Sequence, residues 1–99
     1  MRLHPQARQA LVQSVRRVAP HATAIRLFGS RLDDSAKGGD VDIMVEFDEP
    51  VEHPAMLSAS IGVQASRALQ GRHVDVVLKA PNLQTGSIHR VAMAEGVEL

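Results

Sequence analysis

Two aspartates separated by one residue, Asp40-Val41-Asp42, open a strand-like run that continues through Ile43, Met44 and Val45 to Phe47. Successive strand side chains point to opposite faces, so Asp40, Asp42 and Met44 share one face and Val41, Ile43, Val45 and Phe47 the other. The two carboxylates then stand roughly 7 Å apart on an otherwise apolar strand. Ionised, they repel each other and lose hydration, a cost that a cation between them removes. Asp75 is a third acid in an apolar run, His73 to Lys79, where His73, Asp75 and Val77 oppose Val74, Val76 and Leu78. With the two strands adjacent, all three carboxylates converge at one edge of a sheet. Three hard oxygen ligands without histidine or cysteine favour Mg²⁺ or Mn²⁺ over zinc. Two such ions about 3.5–4 Å apart make a clamp for in-line displacement at phosphorus. Taken singly, Asp40 also fits a strand-start turn, and Asp75 also fits a pair with Arg72 or His73.

A second cluster precedes the first aspartate. Gly29 follows the apolar run Ala24 to Phe28 and allows a sharp turn or a close approach of backbone to a ligand. Ser30 adds a hydroxyl and a backbone N–H that suit phosphate oxygens. Leu32 to Ala36 reads as a short helical turn whose N-terminus faces the same place. Lys37, Gly38 and Gly39 complete the loop.

These groups must be held by regular elements. Pro5 opens a helix that carries Ala7, Leu11, Val15 and Val18 on one side and ends at Pro20. Its Arg16 and Arg17 suit the helix dipole and read as a solvated helix end. Thr23 to Phe28 is a strand too continuously apolar to be half exposed, and Asp40 to Phe47 is the next. A polar connection, Asp48 to His53, leads to a helix from Pro54 with Leu57, Ile61, Ala65, Ala68 and Leu69 on one face. Gly71 is its stop, and Gly62 weakens it by about 1 kcal/mol relative to alanine. His73 to Lys79 is the third strand, Ser87 to Glu95 the last helix, and Val97 to Leu99 a short tail. The fold class is α/β (α+β), a small mixed sheet of about three strands flanked by helices. The link between the first two strands is too short for a crossover helix, so that pair is expected to be antiparallel.

Ninety-nine residues make one expected domain, 1–99, with a modest core in which Phe28 and Phe47 are the only aromatics. Zero formal net charge gives no electrostatic drive for autonomous nucleic-acid binding. The absence of cysteine excludes disulfides and thiolate chemistry. Met1 to Pro20 lacks a continuous apolar run, so neither a signal peptide nor a membrane span is expected, and a cytoplasmic location is the default. The five histidines, His4, His21, His53, His73 and His89, show no metal-ligand spacing and read as solvated or hydrogen-bonded side chains. Only His73 shares a face with an acid of the cluster.

Leu27-Phe28-Gly29-Ser30, nine intervening residues, then Asp40-Val41-Asp42-Ile43 resembles the signature of the polymerase-β-like nucleotidyltransferase superfamily. Within it the chain is similar to minimal nucleotidyltransferase (MNT) proteins, and the resemblance covers essentially the whole chain. It implies the minimal polymerase-β-like nucleotidyltransferase fold. It further implies that Gly29 and Ser30 hold the β- and γ-phosphates of a nucleoside triphosphate, usually ATP. Arg31 and Lys37 would be phosphate contacts or solvated loop cations. Asp40 and Asp42 would bind two Mg²⁺ (or Mn²⁺) ions, and Asp75 would bind one and help deprotonate an acceptor hydroxyl. Where many members carry Ala-Arg-Gly after Gly-Ser, this chain has Leu32-Asp33-Asp34.

A chain of this length shows no evident second domain for a large acceptor, so the acceptor is expected on a separate partner. MNT proteins commonly act as antitoxins of HEPN-type RNase toxins. The resemblance therefore implies a hetero-oligomer in which AMP passes from ATP to a tyrosine of the toxin (AMPylation). The alternatives are a non-catalytic subunit that masks its partner sterically and an adenylyltransferase acting on a small molecule such as an antibiotic.

Overall fold

The first helix, α1 (Pro5–Val18), begins where the sequence places it, with His4 as its cap: the Gln6 N–H donates to His4 Nδ1 at 3.2 Å. Pro5 in the first turn sacrifices no intrahelical hydrogen bond. Leu11 and Val15 are buried on the inner side. Arg16 does more than the solvated helix end expected of it, because its guanidinium donates to Ala22 O and ties the end of α1 to the approach of the next strand. That contact depends on the turn at Pro20, which no helical periodicity reveals.

The chain is seen here as a computed structural model that describes residues 3–29 and 40–99. After α1 come β1 (Ala24–Phe28), β2 (Val41–Glu46), α2 (Pro54–Ala68), β3 (Val74–Lys79), α3 (Ser87–Glu95) and β4 (Val97–Glu98). The helix α2 runs unbroken through Gly62, whose missing side chain faces Val74 O and Val76. It ends in a left-handed turn at Gln70 (φ 60°) and Gly71 (φ 88°), with the Gly71 N–H donating to Ser66 O at 2.8 Å. Gly71 takes this conformation without a Cβ penalty.

The mixed sheet has the order β3-β2-β1-β4. β1 and β2 are antiparallel, as their short link requires, while β2 and β3 are parallel and joined through α2. The fourth strand corrects the reading of Val97 to Leu99 as a tail. Val97 and Glu98 pair antiparallel with Leu27 and Arg26, and the Leu99 N–H donates to Ile25 O at 2.8 Å. Two residues are too few to show alternation, so this pairing is decided by tertiary structure.

Strand alternation sorts the sheet into two faces. Ile25, Leu27, Val41, Ile43 and Val45 pack with Leu11 and Val15 of α1 and Ile61 and Ala65 of α2 into the main core, all at most 1% exposed. Each large side chain so buried contributes about 1.5–3 kcal/mol. On the other face Phe28, Met44 and Ala92 of α3 form a smaller cluster, with Val77 against it. Asn82 fastens the connection before α2, accepting from the Val51 N–H at 2.9 Å and donating to Val51 O at 2.8 Å. No helix among the described residues is long and apolar enough to cross a membrane.

Candidate functional site

The site is assembled by register. In the parallel β2–β3 pair, Asp42 lies directly beside Asp75. The Val41 N–H donates to His73 O at 2.9 Å, which carries the pairing one step further and brings Asp40 alongside His73. Four polar side chains thus form a square on the face that Met44 and Val77 occupy farther along. Ligating atoms of Asp40, His73 and Asp75 all lie within 4.8 Å of one another. In an octahedral ion with metal–oxygen distances of about 2.1 Å, opposite ligand atoms stand about 4.2 Å apart, so these groups can share one ion after small rotations.

Gly29 closes the square from the side of β1. It has φ 77°, and a Cβ added there would overlap Asp42 Oδ2. Only glycine lets the backbone leave β1 in this direction and pass so close to that carboxylate. Of the two uses foreseen for this glycine, the sharp turn is present, and the group its backbone approaches is the chain's own Asp42. Of the remaining residues expected at the site, Ser30, Arg31 and Lys37 lie outside the described residues, as does the helical turn expected over Leu32 to Ala36.

The electrostatics match crowded acids. The Asp42 carboxyl is pushed above its ordinary value, first by burial and then by repulsion from Asp75 and Asp40 and by the close approach of the Asp75 carboxylate, with His73 opposing. His73 Nε2 meets Asp75 Oδ1 at 2.7 Å, with both side chains more than half exposed. The His73 imidazole is held above its ordinary value by that hydrogen bond and then by the Asp75 charge. Between the two openings left for Asp75, a partner in Arg72 or His73, the structure selects His73. The other histidines with described bonds are structural. His4 caps α1, and His89 accepts from the Gly86 N–H through Nδ1 while donating to Leu78 O through Nε2.

Asp75 and His73 open onto a groove of about 730 Å³ that runs along α2 past Gly62, Val63 and Arg67. Because β3 is the edge of the sheet, this side of the acids can be reached by a large molecule. Oxygen donors converging at an open edge, with one carboxyl already strained toward protonation, suit a divalent cation bound to a phosphorylated ligand. Sequence reading missed the groove, which is lined jointly by α2 and β3 and has no local signature.

The family model described as "Nucleotidyltransferase domain" matches residues 8–97. No curated protein matches the chain significantly. Three solved structures have a similar fold. One is a toxin–antitoxin with AMP-PNP (TM-score 0.72, 19% identity, covering 91% of this chain and 69% of that one). Another is the toxin–antitoxin MntA–HepT (TM-score 0.66, 18% identity, covering 96% of this chain and 70% of that one). The third is a mutant of such a pair (TM-score 0.66, 20% identity, covering 93% and 69%). The mixed sheet with its three helices is consistent with the polymerase-β-like fold.

Proposed function

The chain belongs to the nucleotidyltransferase domain family, and from that premise we propose that it is the antitoxin of a toxin–antitoxin pair and transfers AMP from ATP to a tyrosine hydroxyl of an HEPN-type toxin. The observation that carries the chemistry is the register of Asp42 against Asp75 with Asp40 alongside, under the Gly29 turn. The choice of partner is supported by the fold shared with the toxin–antitoxin structures, one of them holding an ATP analogue.

Asp40, Asp42 and Asp75 would hold the divalent ions, Mg²⁺ or Mn²⁺ and two in number. Bound there, such ions supply charge that draws the triphosphate in and stabilises the negative charge gathering at the α-phosphorus. The chain's own groups do the rest. Gly29 lets the backbone come close to the acids, and with Ser30 it would seat the terminal phosphates, assisted by Arg31 and Lys37. The acceptor hydroxyl would arrive along the open edge of β3. Its oxygen forms the new bond to the α-phosphorus, the bond to the bridging oxygen breaks, and pyrophosphate leaves with that electron pair. The hydroxyl proton passes to the Asp75 oxygen that His73 does not occupy.

The chain has no tyrosine, so a tyrosine-linked nucleotide must reside on the partner. The test is a mixture of the chain, an HEPN-type partner, Mg²⁺ and ATP labelled at either the α- or the γ-phosphorus. The expected result is partner labelled from α-ATP only, lost in the double variant Asp40→Asn with Asp42→Asn. Label from γ-ATP would identify phosphoryl transfer instead. Neutralised toxin without any label would identify steric masking.

A further inference from the structure

The acids of this site have a neighbour that the resemblance does not include. His73 precedes β3, two residues before Asp75 and therefore on the same face, and the backbone bond from Val41 sets it beside Asp40. Its Nε2 lies 2.7 Å from Asp75 Oδ1, and its ligating nitrogen and the oxygens of Asp40 and Asp75 fall within 4.8 Å of one another. We propose that His73 is a metal ligand, so that this chain binds a divalent ion through two carboxylates and one imidazole and prefers Mn²⁺, or a later first-row ion, to Mg²⁺. This rests on the metal-dependent reading of the site given above.

The placement supports direct ligation over a merely supporting bond. A histidine that only orients a ligating carboxylate stands behind it, away from the ion. Here imidazole and carboxylate stand side by side on one strand face, with Asp40 opposite on the next strand. The distance between His73 Nε2 and Asp75 Oδ1 is close to the roughly 3 Å that separates adjacent corners of an octahedron with about 2.1 Å bonds. An ion entering between them replaces the hydrogen bond with two coordinate bonds and needs little side-chain movement. His73 is open to solvent and nothing else described holds its ring. Imidazole nitrogen strengthens binding of Mn²⁺ and its successors in the first-row order, whereas Mg²⁺ prefers oxygen and retains its waters.

The experiment reads the ligand atom itself. Metal-stripped protein is titrated with Mn²⁺, and pulsed electron paramagnetic resonance is used to look for the ¹⁴N coupling of a bound imidazole. The same titration is made on His73→Ala and His73→Gln, with Mg²⁺ binding followed by calorimetry. We expect ¹⁴N coupling in the wild type and none in either variant. The variants should also lose at least about tenfold in Mn²⁺ affinity, the lower end of what even outer-shell substitutions cost, with a much smaller change for Mg²⁺. Mn²⁺ bound without ¹⁴N coupling, or with coupling that survives both substitutions, overturns the role of His73 and leaves the carboxylate site standing. If Mn²⁺ does not bind even in the presence of a non-hydrolysable ATP analogue, both this assignment and the metal-dependent function fail. Unchanged circular dichroism spectra of the exposed-site variants would show that any loss is local.

Discussion

The two faces of the sheet are made from the same strands and differ in nearly every physical respect. Toward α1 and α2, Ile25, Leu27, Val41, Ile43, Val45 and Ile61 form a continuous core from which water is excluded. Toward α3, Phe28, Met44, Ala92 and Val77 make a small apolar patch, and beyond it the same strands turn to Asp42 and Asp75. Val41 and Asp42 are neighbours in sequence, yet one is fully buried and the other lies in a crowded set of acids on the opposite face. The difference teaches that core packing and crowded charge are separated here by one step of the strand. The packed face fixes the strand register, and that register sets the Asp42 and Asp75 carboxylates side by side on the other.

If that separation holds, changes on the two faces should have opposite signatures. The largest effect is expected from Asp40→Asn combined with Asp42→Asn. Nucleotidyl transfer should fall by at least about 10²–10³-fold, the scale seen when one preorganised electrostatic contact to a transition state is lost. Denaturant unfolding should show a protein at least as stable as the wild type. Transfer that persists in the double variant would move the chemistry elsewhere. Ile43→Ala is the mirror experiment, made on the residue between Asp42 and Met44. It should cost about 2–5 kcal/mol in urea unfolding, while activity per folded molecule stays near the wild-type value. A variant that is stable but inactive would break the separation.

Gly29→Ala should cross the boundary between the faces. An added methyl meets the Asp42 carboxylate and the positive φ disfavours any side chain. A loss of about 1–2 kcal/mol in stability is expected from the backbone alone, together with a fall in activity because Asp42 is displaced. Normal kinetics would show that Asp42 is not held by this turn. A smaller effect, about 1 kcal/mol, should follow Asn82→Ala, which removes both bonds to Val51 on the connection before α2. Hydrogen exchange should then quicken at Val51 and leave the strand amides of Val41 to Val45 protected.

The acidic face was the more legible in sequence. The alternation through Asp40, Asp42 and Met44 states which side chains are together, and the apolar run around Asp75 identifies a strand able to lie beside them. Asp75 could be joined to Asp42 only by assuming adjacency, which the parallel register supplies. What could not be read was held by contacts across long stretches of chain. The pairing of β4 with β1 rests on two residues, and the Asn82 clamp spans 31 positions. The Arg26–Glu46 bridge at 2.6 Å joins residues 20 apart on paired strands. Such interactions have no period or motif, because each is selected by packing after the elements form.

The smallest expected effect is also the one that tests the crowding directly. In the metal-free protein Asp42 is raised above its ordinary pKa by burial first and by the Asp75 and Asp40 charges next. A carboxyl whose folded value is raised binds its proton more tightly when folded, so folding is favoured while it is protonated. That advantage is lost as pH rises from the ordinary carboxylate value through the raised one. Above that raised value Asp42 is therefore ionised at a cost to the fold. Asp42→Asn, near-isosteric and uncharged, should raise the metal-free melting temperature by a few degrees at pH 7, a gain kept small by the solvent still reaching the site. The gain should shrink as pH falls through the raised value, because the wild-type carboxyl then becomes neutral as well. Saturating divalent ion with nucleotide should reverse the order, stabilising the wild type through binding to the native state alone and the variant much less. A variant less stable than the wild type at neutral pH, without metal, would mean that protein groups already satisfy the charge of Asp42, and the contrast between the two faces would then not be one of strain against packing.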